Sequence, residues 1–85
     1  MSSEQRQKAI GEYHILAQEV KNLGYRAGSH LHDLRDAIDV LSIDDDFTTI
    51  DFDKVKSLID ALEGIKKSFE IKVEKMNRLK ETYGL

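Results

Sequence analysis

Residues 10–41 read IGEYHILAQEVKNLGYRAGSHLHDLRDAIDVL, and the spacing of their core-type side chains decides the fold. Ile10, Tyr13, Ala17, Val20, Gly24, Ala27, Leu31, Leu34, Ile38 and Leu41 alternate steps of three and four residues without a break. A strand repeats every two residues and an α-helix every 3.6, so this alternation is a helical heptad seam of coiled-coil type. With Ile10 at heptad position a and Tyr13 at d, Ala9, Leu16, Leu23 and Ala37 fall at g and widen the apolar face to three stripes. One neighbouring helix covers two stripes; a third calls for a bundle.

Gly24 and Gly28 interrupt this stretch, each at a cost of about 1 kcal/mol relative to alanine in a helix interior. If Gly24 capped a helix ending at Leu23, the chain would form a three-helix bundle. The heptad phase, however, runs unchanged from Val20 to Leu31 across both glycines, and a loop has no physical reason to keep it. The spacing therefore predicts one helix over about 4–42. Ser2 or Ser3 caps its free N–H groups, with Glu4 at the positive end of the helix.

The bend is expected over about 43–51, where Asp44, Asp45, Asp46 and two threonines interrupt the pattern. Asp51 is placed to cap a second helix, Ile50 and Val55 to form a hydrophobic staple, and Asp53 to meet the helix dipole. That helix is predicted over about 52–83, with Val55, Leu58, Ile59, Leu62, Ile65, Phe69, Val73, Met76, Leu79 and Tyr83 inward and Gly84 as its stop. Glu63 with Lys67 and Glu74 with Arg78 have the favourable i,i+4 order. A reversal at 47–49 pairs residues whose numbers add to about 96, such as Leu34 with Leu62 and Leu31 with Ile65. In that register Phe69 enters a hollow left by Gly24, Ala27 and Gly28, so that Gly24→Leu clashes.

The fold class is thus all-α: one helical domain over 1–85, an antiparallel hairpin of two long helices. Eighty-five residues bury little surface, which favours a second copy. A lone hairpin is expected to leave Leu16, Leu23, Ile59 and Val73 wet, and a homodimer packed as a four-helix bundle would cover them. Residues 31–60 carry nine aspartates against Arg35, Lys54 and Lys56, a net charge of −6, whereas residues 1–30 sum to +1 and residues 61–85 to +2. An antiparallel dimer sets acidic bend beside basic ends.

Composition limits the chemistry. Without cysteine there is no disulfide and no thiolate metal site. The polar opening with Glu4, Arg6 and Lys8 differs from a signal peptide, and no apolar run reaches membrane-span length, so a cytoplasmic protein without a membrane partner is expected. Charged residues at 34%, aromatics at 7% and no proline suit solvated helices. With neither tryptophan nor proline, the chain lacks the Trp-x-Gly turn of secreted WXG-type hairpins and the proline-containing turn of secretion-needle subunits.

The aspartates of the bend do not make an EF-hand, which needs glycine at its sixth place and glutamate at its twelfth; counted from Asp44 these are Thr49 and Val55. His30 and Asp33 fall on one helical face and His32, Asp36 and Asp39 on another, with no inward Glu-x-x-His pair of the di-metal bundle type. No metal site, cofactor or catalytic residue is assigned, and a bundle filled by Leu, Ile and Phe leaves no pocket for an enzyme. Lys66 to Lys80 alternate with glutamates, the pattern of a solvated helix rather than a phosphate-binding stripe. The function expected is a non-enzymatic protein-interaction module: an adaptor, small chaperone or regulatory subunit. A nucleic-acid-associated hairpin, for example an RNA binder, is the alternative, and a metal-binding bundle the second. Val40, Ile43, Asp44, Asp45, Asp46 and Phe47, apolar groups rimmed with carboxylates, are the expected site for a basic or amphipathic protein partner.

Overall fold

The computed structural model describes residues 2–44 and 50–85. It consists of two helices, α1 (Ser3–Asp44) and α2 (Phe52–Tyr83), packed antiparallel into a rod of 64 × 15 × 14 Å. α1 passes through Gly24 and Gly28 without interruption, so the three-helix alternative does not form. The propensity penalty of two glycines is small beside the packing of a 42-residue amphipathic helix against its neighbour.

The helix ends follow from local chemistry. Ser2 caps α1: its Oγ accepts from the Gln5 N–H at 3.2 Å, and its carbonyl accepts from the Arg6 N–H. Asp51 caps α2 in an extended conformation, its carboxylate accepting from the Lys54 N–H at 3.0 Å. Ile50 and Val55, on either side of this cap, are both half-buried, as a hydrophobic staple needs. Gly84 ends α2 in the left-handed region at φ 67° and ψ 40°, where a side chain would be strained. The N–H groups of Gly84 and Leu85 both donate to the Lys80 carbonyl.

Two contacts between the helices fix the register. The Lys72 ammonium donates to the Glu19 carboxylate, and the Arg6 guanidinium to the Tyr83 carbonyl at 3.4 Å, pairs whose residue numbers add to 91 and 89. The register expected from a flush turn, near 96, is therefore corrected. α1 overshoots: with Glu19 level with Lys72, Phe52 at the start of α2 stands level with Asp39, and α1 continues to Asp44 beyond it.

The seam is also rotated by one stripe from the expected one. Across the described part of α1, stripes g and d are covered at Ala9, Tyr13, Leu16, Val20, Leu23, Ala27, His30, Leu34 and Ala37, whereas stripe a is half-buried at Ile10 and Ala17 and exposed from Gly24 through Leu31 to Ile38. Ala9, Leu23 and, from α2, Ile65 are buried; the rest of the seam is half-buried. One feature favours this choice: Lys72 lies on the inner stripe of α2, in phase with Leu58, Ile65 and Leu79, where a cation needs a counter-charge. Glu19, at position c, borders stripe g and reaches it; on an a/d seam it would stand on the far side of the helix.

Candidate interaction faces

Rotating the seam exposes the residues that it leaves behind. In α1, Leu31 and Ile38 at position a are 54% and 46% exposed, and Gly24 between Ala17 and Leu31 is open. No heavy atom lies within 4 Å of the place where a Cβ would stand on Gly24 or Gly28, so the hollow expected to receive Phe69 does not exist within the hairpin. Phe69 itself, at the edge of the α2 seam, is 38% exposed, and Ile59 is 42% exposed. Leu23, expected to be wet, is only 7% exposed, and Leu16 and Val73 are half-buried. Of the four residues assigned to a dimer face, Leu16 and Leu23 therefore belong to the hairpin's own seam.

The two flanks of the seam carry different side chains. On one, a shallow groove is lined by Glu12, Leu16, Lys75, Arg78, Leu79 and Thr82, together with Tyr83. Glu19 follows Glu12 by one heptad on this side and holds Lys72; the two side chains are 43% and 30% exposed. Helical order around α1 puts Ile10, Ala17, Gly24, Leu31 and Ile38 on the opposite flank, and order around α2 puts Phe52, Ile59 and Val73 there, next to Phe69. The register sets Leu31 beside Ile59 and Ile38 beside Phe52. Both flanks mix apolar and charged side chains: Ile15, 61% exposed, stands with Glu12, Leu16 and Lys75 on the first, and Leu31 lies with His32 and Arg35 on the second, which carries the longer row of exposed apolar residues.

Outside these flanks, the polar side chains satisfy local needs. His30 is half-buried in the seam, its Nδ1 2.7 Å from the Arg26 carbonyl, so that the proton on Nδ1 donates back along the helix. His32 Nε2 lies 3.4 Å from Asp36 on the exposed outer face. The expected Glu74–Arg78 pair forms at 2.9 Å; Lys66 pairs with Glu70 at 3.8 Å, and no ion pair joins Glu63 to Lys67. Among the described residues no group of three or more His, Asp or Glu side chains converges in a way that could hold a metal ion. No described helix is long and apolar enough to cross a membrane.

Comparison with protein-family models, curated proteins and solved structures finds no match to this chain. Of the partner-binding candidates at the bend, Val40, Ile43 and Asp44 stand in the last turns of α1, whereas Asp45, Asp46 and Phe47 lie outside the described residues. The apolar flank was missed as a candidate because heptad spacing ranks positions by periodicity alone. The signal that could have exposed it is Lys72: a cation in phase with Leu58, Ile65 and Leu79 demands an acidic neighbour, and Glu19 meets that demand only on a d/g seam.

Proposed function

We infer that this protein is a non-enzymatic protein-interaction module, an adaptor, small chaperone or regulatory subunit, that works through the outer faces of its hairpin. The observation that carries this reading is the row of exposed apolar residues along one flank. Leu31, Ile38, Phe52, Ile59 and Phe69 are 38–56% exposed on that side of the rod. Scattered exposed apolar residues are ordinary, but an aligned apolar strip bordered by charge is the usual form of a surface that another protein covers. The acidic bend adds a second element, suited to a basic or amphipathic helix that lays apolar side chains on the strip and cations beside the aspartates. A cytoplasmic setting is consistent with this role.

Affinity capture with wild type, Leu31→Asp/Ile59→Asp and Phe47→Glu tests it. The reading predicts partners recovered by the wild type and lost from the flank variant, with basic partners weakened by Phe47→Glu. Identical recoveries from all three would refute it.

A further inference from the structure

We propose that the apolar flank is the seat of a second copy of this chain, laid antiparallel so that the two-fold axis passes beside Gly24. The proposal rests on the reading of that flank as an interaction surface and names its occupant and orientation. Three observations carry it.

The first is Gly24 itself. Nothing in the hairpin requires a glycine there: Gly84 is the one described glycine with positive φ, and the Cβ direction of Gly24 meets open space. A glycine in an exposed helix interior weakens the helix relative to alanine, and Gly11, Gly28 and Gly64 stand equally open; what sets Gly24 apart is its place at the centre of the apolar row. Gly24 stands near the middle of the length over which α1 and α2 overlap, because the register sets it level with Lys67, midway along α2. The flank row around it reads Ile10, Ala17, Gly24, Leu31, Ile38. Reversed upon itself about Gly24, this row sets Ile10 against Ile38, Ala17 against Leu31, and glycine against glycine. Large meets small or apolar meets apolar at every step, and the backbones approach most closely at the centre.

The second observation is charge. The level that separates residues 1–30 from 31–60 in α1 also separates 61–85 from 31–60 in α2, since residues 30 and 61 are opposite in the register. The rod is therefore bipolar: the described residues of one half, 31–44 and 50–60, carry seven aspartates against Arg35, Lys54 and Lys56, a net charge of −4, and the half that holds the termini carries +3. Two copies side by side in the same direction set acidic half against acidic half; reversed, each acidic half lies beside a basic one. On α2 the same two-fold passes level with residues 66–67, so that Ile59 falls opposite residues 73–75 and Lys66, whose local counter-charge is Glu70 at 3.8 Å, lies beside the axis.

The third is area. A face of a rod 64 Å long and 15 Å wide offers on the order of 900 Å² per copy, against about 800 Å² on each side of a stable interface of standard size. Three buried residues among those described make a thin core, and a mate on this flank would cover Leu31, Ile38, Ile59 and Phe69 together.

The test is disulfide trapping in the full chain, which contains no cysteine of its own, combined with sedimentation. Under mild oxidation at tens of micromolar, Gly24→Cys is expected to form a covalent dimer at least about tenfold faster than Ser29→Cys on the outer side of α1. Ile10→Cys mixed with Ile38→Cys is expected to give the mixed dimer in preference to either homodimer. Leu31→Asp is expected to keep the circular-dichroism spectrum of the wild type and to raise the dissociation constant by about tenfold or more. Faster homodimer formation by Ile38→Cys than by Gly24→Cys would overturn the antiparallel arrangement. A wild type that sediments as monomer at 200 µM would overturn the proposal while leaving the interaction-module reading intact, provided that Leu31→Asp/Ile59→Asp still loses captured partners. Conversely, trapping at Gly24 with no partner captured by any variant would support the dimer and refute the broader module.

Discussion

Replacing Leu23 by alanine separates the observed seam from its nearest competitor. Leu23 is 7% exposed at position g, whereas Leu31, at position a and equally central in a regular heptad, is 54% exposed. Removing a buried leucine side chain costs about 2–5 kcal/mol, the lower end applying where the surroundings can collapse. A two-helix seam is bounded by one neighbour and solvent, so the expected loss for Leu23→Ala is about 2–3 kcal/mol. In a domain of this size each kcal/mol moves the melting midpoint by about 4–8 °C, which gives a fall of roughly 10–20 °C. Leu31→Ala removes surface that water already reaches and improves helix propensity slightly, so its expected change is within about 0.5 kcal/mol. Thermal melts followed at 222 nm, at dilutions where the midpoint no longer depends on concentration, isolate the hairpin from any self-association. Equal losses for the two variants, or a larger loss for Leu31→Ala, would refute the d/g seam.

Gly24→Ala in the same dilute melts is expected to raise stability by about 1 kcal/mol, because the new methyl meets open space and the helix gains propensity; a loss would mean that the site is crowded. Glu19→Gln leaves the part-buried Lys72 without its counter-charge and is expected to cost about 1 kcal/mol in denaturant titrations, most of it recovered in the double variant with Lys72→Met; a neutral Glu19→Gln would remove the pair from the account of the seam. Asp51→Ala is expected to cost about 1 kcal/mol and to speed amide exchange in the first turn of α2, whereas Asp51→Asn keeps an acceptor for the Lys54 N–H and stays close to wild type.

The hairpin was legible in the sequence because its determinants are local. Heptad phase carried α1 through Gly24, and Asp51 and Gly84 mark the ends of α2 by side-chain oxygen and left-handed backbone, features that neighbouring residues fix without tertiary information. Which two of three apolar stripes meet the partner helix was not legible from hydrophobicity, since stripe a (Ile10, Ala17, Gly24, Leu31, Ile38) and stripe g (Ala9, Leu16, Leu23, His30, Ala37) are of similar bulk and stripe a is the more apolar. The selection comes from the pairing of Lys72 with Glu19, a contact between residues 53 apart. The register escaped for a related reason. A turn assumed to reverse flush predicts Ala27 opposite Phe69, but the last turns of α1 stand beyond the start of α2 and shift every pair. Those two errors moved Leu16 and Leu23 from the seam to the surface and concealed the apolar flank. The candidate site at the bend was drawn from composition alone, and only Val40, Ile43 and Asp44 of it fall on a described element.

Seam, register and flank all presuppose that α1 is one straight element from Ser3 to Asp44. Spin labels on Lys8→Cys and Asp36→Cys, both on the outer stripe of α1 and diluted with unlabelled chain, measure this directly by pulsed dipolar spectroscopy. An unbroken helix puts these positions about 42 Å apart at ~1.5 Å per residue. A distribution centred there is the expected result; one centred near 20 Å, as a reversal at Gly24 would give, would contradict it.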